Sequence, residues 1–357
     1  MQSFLFINTF FEEELTYSSP LTPLKFLQKH PLYFQLQYLA CLIADPTETP
    51  LLSHAPDVNY LHYLKNIGLP SSSFALFSDT PSSLSSWGAS HSLKKWSLEK
   101  NCTYSIPSLE TVKKIQSKEF SSLHFPKLPF SKLINNTENL ILWWNSFKGP
   151  KVLKTLYGSS GRGHFISYDS SFSDLQKALA FFKKNQNSSP ILIAQPWVER
   201  VLDFSSQWII QENGSHSYLG ATICENSSKG TYLQSITGPE ALLFKDQIDF
   251  FYKHLSHAEK AIETLKTLSF FGNVGFDAML YKHPQTAQIH LMPILEINAR
   301  KTMGWVALRL YQKLSPRQLL SISYQNSTGK PPGLLPPCFD SLPFSKQLFL
   351  DTQRFAL

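Results

Sequence analysis

Leu295-Glu296-Ile297-Asn298-Ala299-Arg300, inside the longer run PILEINARKTMG (Pro293 to Gly304), sets a polar residue at every second position of an apolar segment. On a β-strand successive side chains project to opposite faces, so Glu296, Asn298 and Arg300 share one face and Leu295, Ile297 and Ala299 the other. A carboxylate, an amide and a guanidinium buried without partners cost several kcal/mol, so that face must meet groups that satisfy it. Either a salt-bridged sheet face or a metal ion with an anionic ligand does so.

Working outward, composition narrows the setting. The chain has 357 residues, of which 42% are hydrophobic, 13% aromatic and 17% charged. That excludes a disordered chain and allows a core large enough for two or three domains. The formal charge of +7 suits an anionic ligand. No dense Lys/Arg block or basic stripe with interleaved aromatics is present, so nucleic acid is not expected as a partner. Cys41, Cys102, Cys224 and Cys338 are scattered without paired spacing, which argues against a disulfide framework or a zinc site and for reduced thiols. The opening MQSFLFINTFFEEEL lacks a basic leader, and no apolar run reaches membrane-spanning length. A cytoplasmic protein without membrane contact is the expectation.

The segment 1–107 alternates short apolar runs with turns. FLFINTF, ACLIADP and FALFSD read as strands, VNYLHYLKNIG as a helix ending at Gly68, and the serine-rich SDTPSSLSSWGASHS as a loop. A small α/β domain follows from this alternation. After Pro107, SLETVKKIQSKEF reads as a helix with Ser108 as its N-cap, leading to Lys118. PKVLKTLYGSSGRGHFISYD reads as strand, glycine-rich loop, strand; SDLQKALAFFKK as a helix; and PILIAQPWVE as a strand stopping at Gln195-Pro196. FSSQWIIQENGSHSYLGATICEN reads as a hairpin turning at Asn213-Gly214. HAEKAIETLKTLSFFG is helical, with His254 and His257 taken as a solvated pair. GNVGFDAMLY and QIHLMPILEINAR form two strands, and the proline-rich tail after Lys330 reads as irregular. The expected divisions are 1–107, 108–195, 196–330 and 331–357.

Three clusters carry candidate chemistry. Gly158, Gly161 and Gly163, with Ser159, Ser160 and Arg162 between them, let backbone N–H groups approach an anion, and Lys154 adds a point charge. The spacing is neither that of a P-loop nor G-x-G-x-x-G, and taken alone an ordinary Gly/Ser hairpin turn explains it slightly better than phosphate binding. Asp277 and Glu296 are carboxylates set into apolar strands; if those strands pair, the two converge and, with Asn298, offer oxygen ligands to a hard cation. Alternatively Arg300 neutralises one of them. Gln195-Pro196-Trp197-Val198 reads either as a plain strand-to-loop exit, the commoner case for such a stretch alone, or as a strand end exposing backbone groups for an adenine edge, with Asp203 near enough in sequence for ribose hydroxyls.

Taken in order, these pieces resemble the ATP-grasp superfamily over roughly residues 110–325. Lys118, Lys154, the loop Gly158–Gly163, the hinge Gln195–Val198, Asp203, Asp277 and the strand Glu296-Ile-Asn298-Ala-Arg300 stand in the family's sequence of elements. Gln195 replaces a glutamate common in relatives, although its side-chain oxygen still accepts from an adenine amino group. Asp277 also replaces a glutamate and reaches one methylene less.

The resemblance implies an α/β (α+β) architecture: two α+β ATP-grasp lobes behind a small pre-ATP-grasp-like domain. It implies a ligase that phosphorylates a small-molecule or peptide carboxylate with ATP, then joins the acyl group to an amine, releasing ADP and phosphate. Lys118 and Lys154 would hold the α- and β-phosphates, and the glycine loop would close on the γ-phosphate. Asp277, Glu296 and Asn298 would bind one or two Mg2+ ions, with Mn2+ as a substitute, and Arg300 would steady the transferring group. A homodimer is compatible with it. The alternatives are an ATP-grasp-type kinase or a non-catalytic ATP-binding regulator.

Overall fold

The computed structural model describes residues 2–16, 22–69, 73–158, 163–169, 171–228, 230–316, 318–326, 333–339 and 342–351. Ser159, Ser160, Gly161 and Arg162 of the glycine-rich loop lie outside the described residues.

The N-terminal part is built on four parallel strands, β1 (Ser3–Phe6), β2 (Glu48–Leu52), β3 (Ala75–Leu76) and β4 (Ser83–Ser86), in the spatial order β3-β2-β1-β4. Strand β1 is buried throughout its apolar run, with Phe4, Leu5, Phe6 and Ile7 in the core, as expected for a parallel strand covered on both faces. Strand order reverses between β1 and β4, because the chain steps outward to β2 and β3 and then returns to the far side of β1.

Two segments depart from the sequence reading here. ACLIADP forms a helix, Leu39–Ile43, rather than a strand; an apolar run this short has no period to separate buried helix from buried strand. The serine-rich stretch expected to be a loop contains β4 and the start of helix His91–Glu99, capped by the Ser90 hydroxyl accepting from Leu93 N–H. Its hydroxyls are satisfied within the fold, since Ser85 donates to Glu48 at 2.6 Å and Ser86 pairs with Tyr104 at 2.7 Å.

Next comes a four-stranded antiparallel sheet of β5 (Lys132–Ile134), β6 (Lys151–Lys154), β7 (His164–Ser167) and β8 (Leu192–Pro196), in the order β5-β8-β6-β7. Helices Thr137–Asn145 and Phe172–Asn185 share a core with it through Leu140, Trp143, Leu175, Ala178 and Phe182. Ser171 caps the second helix by accepting from Asp174 N–H.

A seven-stranded antiparallel sheet follows. Its strands are β9 (Arg200–Ile210), β10 (His216–Asn226), β11 (Tyr232–Thr237), β12 (Gly272–Lys282), β13 (Ile289–Asn298), β14 (Leu320–Asn326) and, after a small ladder of β15 (Cys338–Phe339) and β16 (Leu342–Pro343), β17 (Lys346–Asp351). The order is β13-β12-β9-β10-β11-β14-β17. The expected hairpin at Asn213-Gly214 joins β9 to β10, with Gly214 at φ +83. The tail read as irregular supplies edge strand β17, because six residues after a proline-rich run give too little alternation to recognise. Helix Ile248–Thr267 buries Phe251, Ala258, Ala261, Ile262 and Leu265. His254 on that helix is also buried rather than solvated: Nδ1 meets Pro293 O and Nε2 meets Ser206 Oγ, each at 2.7 Å. No helix among the described residues is long and apolar enough to cross a membrane.

Candidate active site between the sheets

Strands β12 and β13 pair so that Asp277 lies opposite Glu296 and Gly275 opposite Asn298. Opposed residues share a face, so both carboxylates and the amide converge. Asn298 Nδ2 donates to Asp277 Oδ2 at 3.0 Å. Burial, reinforced by the Glu296 charge, pushes the Asp277 carboxyl up to about 6, against hydrogen bonds from Ser205 and Asn298 and the charge of Arg300.

Lys118 completes this wall. The chain breaks helix geometry at Ser117 (ψ 132), whose hydroxyl accepts from Glu119 N–H and opens helix Lys118–His124. Lys118 Nζ then stands 2.7 Å from Glu296 Oε1 and donates to Gly158 O at 2.8 Å. One ammonium therefore joins the carboxylate pair to the entrance of the glycine loop. Lys154, the last residue of β6, faces the same space; burial, with help from Arg200 and Lys118, pulls its ammonium down to about 8 despite Glu296 and Asp203. At the exit of the loop Gly163 holds φ +78, and Thr155 Oγ1 donates to Tyr157 O at 2.7 Å and reaches Gly163 O at 3.1 Å.

The strand exit after β8 is fixed by Trp197 N–H donating to Pro150 O at 2.8 Å. Gln195 is buried in register with Val152 and lines a narrow recess with Lys118, Lys154, Leu295 and Glu296. Pro196 ends the strand, and Val198 packs on the cluster of Leu128, Met279, Tyr281 and Met292. Trp197 carries the Arg200 guanidinium over its ring at 4.9 Å. Arg200 also pairs with Asp203 Oδ2 at 2.7 Å, and Asn226 Nδ2 donates to the same oxygen at 3.0 Å. Asp203 Oδ1 is buried and has no protein partner among the described residues.

Arg300 does not neutralise Asp277 or Glu296 by contact. Its Nε donates to Glu12 Oε1 at 2.8 Å and its Nη2 stands 2.6 Å from the same oxygen, while Nη1 donates to Lys301 O at 3.1 Å. Gln116 ties in as well, donating to Glu12 Oε1 at 3.2 Å and accepting from Ala299 N–H at 2.9 Å. Glu12, Gln116, Arg200 and Asn226 were not found from sequence. For Glu12 the local sequence holds only a run of three acidic residues in the first turn of helix Phe11–Thr16, two of them buried, and nothing in that run names Arg300 as the partner.

Lys118, Lys154, Gly158, Gly163, Trp197, Asp203, Asp277, Glu296, Asn298 and Arg300 all line one cleft of about 500 Å³. Among the described residues no three His, Cys, Asp or Glu side chains cluster as a metal site. The donor set of two carboxylates and one amide oxygen fits a hard divalent ion that takes its remaining ligands from water and phosphate.

Two α+β lobes enclosing such a cleft behind a smaller parallel-sheet domain constitute the ATP-grasp fold. Solved structures share it over nearly the whole chain. The biotin carboxylase–β-γ-ATP complex from Campylobacter jejuni matches at 13% identity and a TM-score of 0.58, covering 99% of this chain and 88% of that one. The biotin carboxylase domain dimer of Hydrogenobacter thermophilus 2-oxoglutarate carboxylase, with MgADP and bicarbonate, matches at 11% identity and a TM-score of 0.54, covering 98% and 85%. N5-carboxyaminoimidazole synthetase from Staphylococcus aureus, complexed with ADP, matches at 9% identity and a TM-score of 0.52, covering 99% and 94%. No family model and no curated protein sequence matches the chain.

Proposed function

We propose that this chain is an ATP-dependent carboxylate–amine ligase working through an acylphosphate. The observation that carries the reading is the convergence of Asp277, Glu296 and Asn298 on one cleft wall, with Lys118 on Glu296 and Lys154 in the same cleft. ATP-grasp structures holding nucleotides support it.

In this proposal Gln195 and the backbone to Val198 meet the adenine, and the unpartnered Asp203 oxygen accepts from a ribose hydroxyl. Lys118 and Lys154 neutralise the α- and β-phosphates, and the glycine loop, including Ser159, Ser160, Gly161 and Arg162, covers the γ-phosphate. Mg2+ held by Asp277, Glu296 and Asn298 supplies charge neutralisation to the phosphates. A carboxylate oxygen of the acceptor attacks the γ-phosphorus, and the bond to the leaving ADP oxygen breaks. An amine then attacks the acyl carbon, expels phosphate and loses its proton to solvent. Arg300, held in orientation by Glu12, steadies the transferred group; the protein contributes position and charge rather than covalent chemistry. A homodimer belongs to the proposal because the compared Hydrogenobacter domain is a dimer.

Glu296→Gln tests the reading. Mg2+-dependent ADP formation is expected to fall by about a hundredfold or more, with near-ultraviolet circular dichroism unchanged and EDTA reproducing the loss in the parent. A well-folded variant that forms ADP at the parental rate would refute the metal assignment.

A further inference from the structure

The cleft does not end at Arg300. It continues to Thr9, Glu12 and Trp87 at the carboxyl edge of the parallel sheet. Thr9 and Glu12 follow β1 and Trp87 follows β4, the two strands between which strand order reverses. Open parallel sheets present a ligand crevice at that point. The edge is rigidly closed beneath it: Trp87 N–H donates to Phe6 O at 3.0 Å, and Asn8 and Gly88 exchange bonds of 2.9 and 3.2 Å.

The walls of this end are apolar or aromatic. Leu32, Tyr33 and Leu36 come from helix Pro31–Leu36, Met303 from the start of helix Met303–Leu314, and Tyr324 from β14. Leu32 is 41% exposed, so part of this wall is open to solvent. Thr9 Oγ1 is buried with no hydrogen-bond partner among the described residues. Charge is sparse: Glu12 and Arg300 neutralise one another, which leaves Lys346, near the Tyr324 ring, as the unneutralised ion on this stretch of the described lining. A phosphorylated sugar or a dicarboxylic acid calls for two or more forked or clustered cations. An apolar body with one hydrogen-bonding group suits these walls better.

We propose that the acceptor is a small monocarboxylic acid with a flat or branched apolar body. The body lies between Leu36 and Trp87, Thr9 bonds its polar substituent, and its carboxylate points along the cleft toward Arg300. This rests on the ligase reading for the role of the acid, though not for its binding.

The full chain, with and without MgADP, is titrated with 3-(4-hydroxyphenyl)propanoate, 4-hydroxy-4-methylpentanoate, ribose 5-phosphate and glutarate, and binding is followed by saturation-transfer NMR and calorimetry. The apolar acids are expected to bind at millimolar concentration and the other two to bind more weakly. Leu36→Asp is expected to weaken the apolar acids by about tenfold or more, about 1.4 kcal/mol, with MgADP affinity unchanged; Trp87→Ala should act in the same direction. Tighter binding of ribose 5-phosphate or glutarate, no binding of either apolar acid, or an unchanged affinity in a folded Leu36→Asp protein overturns the proposal. Failure of MgADP to bind would remove the nucleotide reading instead, and the titrations without nucleotide would still decide the acid class.

Discussion

At the residue scale, the three polar side chains of the Glu296–Arg300 run each find a different partner. Glu296 meets Lys118, Asn298 meets Asp277, and Arg300 meets Glu12. The common face of Glu296 and Asn298 was legible in the alternation of the sequence, whereas Arg300, read onto the same face, lies in a bend past the end of β13, where its N–H donates to Asn298 O at 2.8 Å. Glu12 was not, because nothing local points to a partner 288 positions away. His254 shows the reverse failure, where helical spacing beside His257 looked solvated yet the ring is buried and fully bonded. Burial pulls its pKa from the ordinary 6.5 down to about 4, with the Pro293 carbonyl opposing. The folded chain thus keeps His254 neutral where the unfolded chain already takes a proton, so stability falls as pH drops through that window. Between pH 7 and pH 4.5 this residue should remove roughly 2–3 kcal/mol of folding stability. Urea titrations at the two pH values check it, since His254→Gln should flatten that share of the slope. A variant with the parental pH slope would show that the ring plays no such part.

At the element scale, long periodic segments were legible and short ones were not. The β12–β13 hairpin, the β9–β10 hairpin and the helix through Ala258 and Leu265 follow from alternation, turn residues and apolar spacing. Leu39–Ile43, β4 and β17 were misread because each is four to six residues long and owes its conformation to the sheet or core it joins. The pairing of the strands that flank the glycine loop was legible, while the anchoring of its described ends was not. Thr155 bridges its two ends, and a Cβ built on Gly163 would collide with Thr155 Oγ1 in a backbone of positive φ. Gly163→Ala therefore combines left-handed strain with a clash against a hydroxyl already engaged on both ends of the loop. A loss of about 1–3 kcal/mol in stability is expected, along with weaker MgATP binding, read by thermal melting and calorimetry. Parental values for both would mean that the loop exit tolerates a side chain and that Thr155 does not set its shape.

At the scale of the whole molecule, the N-terminal domain and the seven-stranded sheet are one body, while the small antiparallel sheet keeps a core of its own. A single apolar cluster runs from Phe4 and Leu42 through Trp305 and Leu310 to Ile322 and Leu348, whereas Ile134, Trp143, Phe182 and Leu192 form a separate one. Polar bridges reinforce the first union. Gln35 donates to Lys346 O at 3.0 Å and accepts from Tyr324 at 2.8 Å, Tyr60 donates to Leu334 O at 2.9 Å, and Lys301 Nζ donates to Ser86 O at 2.7 Å. The Glu12–Arg300 pair is the bridge that reaches the cleft itself, with both side chains largely buried. Removing one member of a buried pair strands the other's charge, so Glu12→Gln and Arg300→Met should each cost about 3 kcal/mol. The double variant leaves no stranded charge and should fall short of the sum by about 2 kcal/mol. Urea unfolding of the four proteins closes this cycle, with tryptophan fluorescence following Trp87 and Trp305 on the two sides of the bridge. A single shared transition is expected throughout, displaced to lower urea in the single variants. Strict additivity would show that Glu12 and Arg300 act independently, and separate transitions would show that the N-terminal domain and the large sheet are not one cooperative unit.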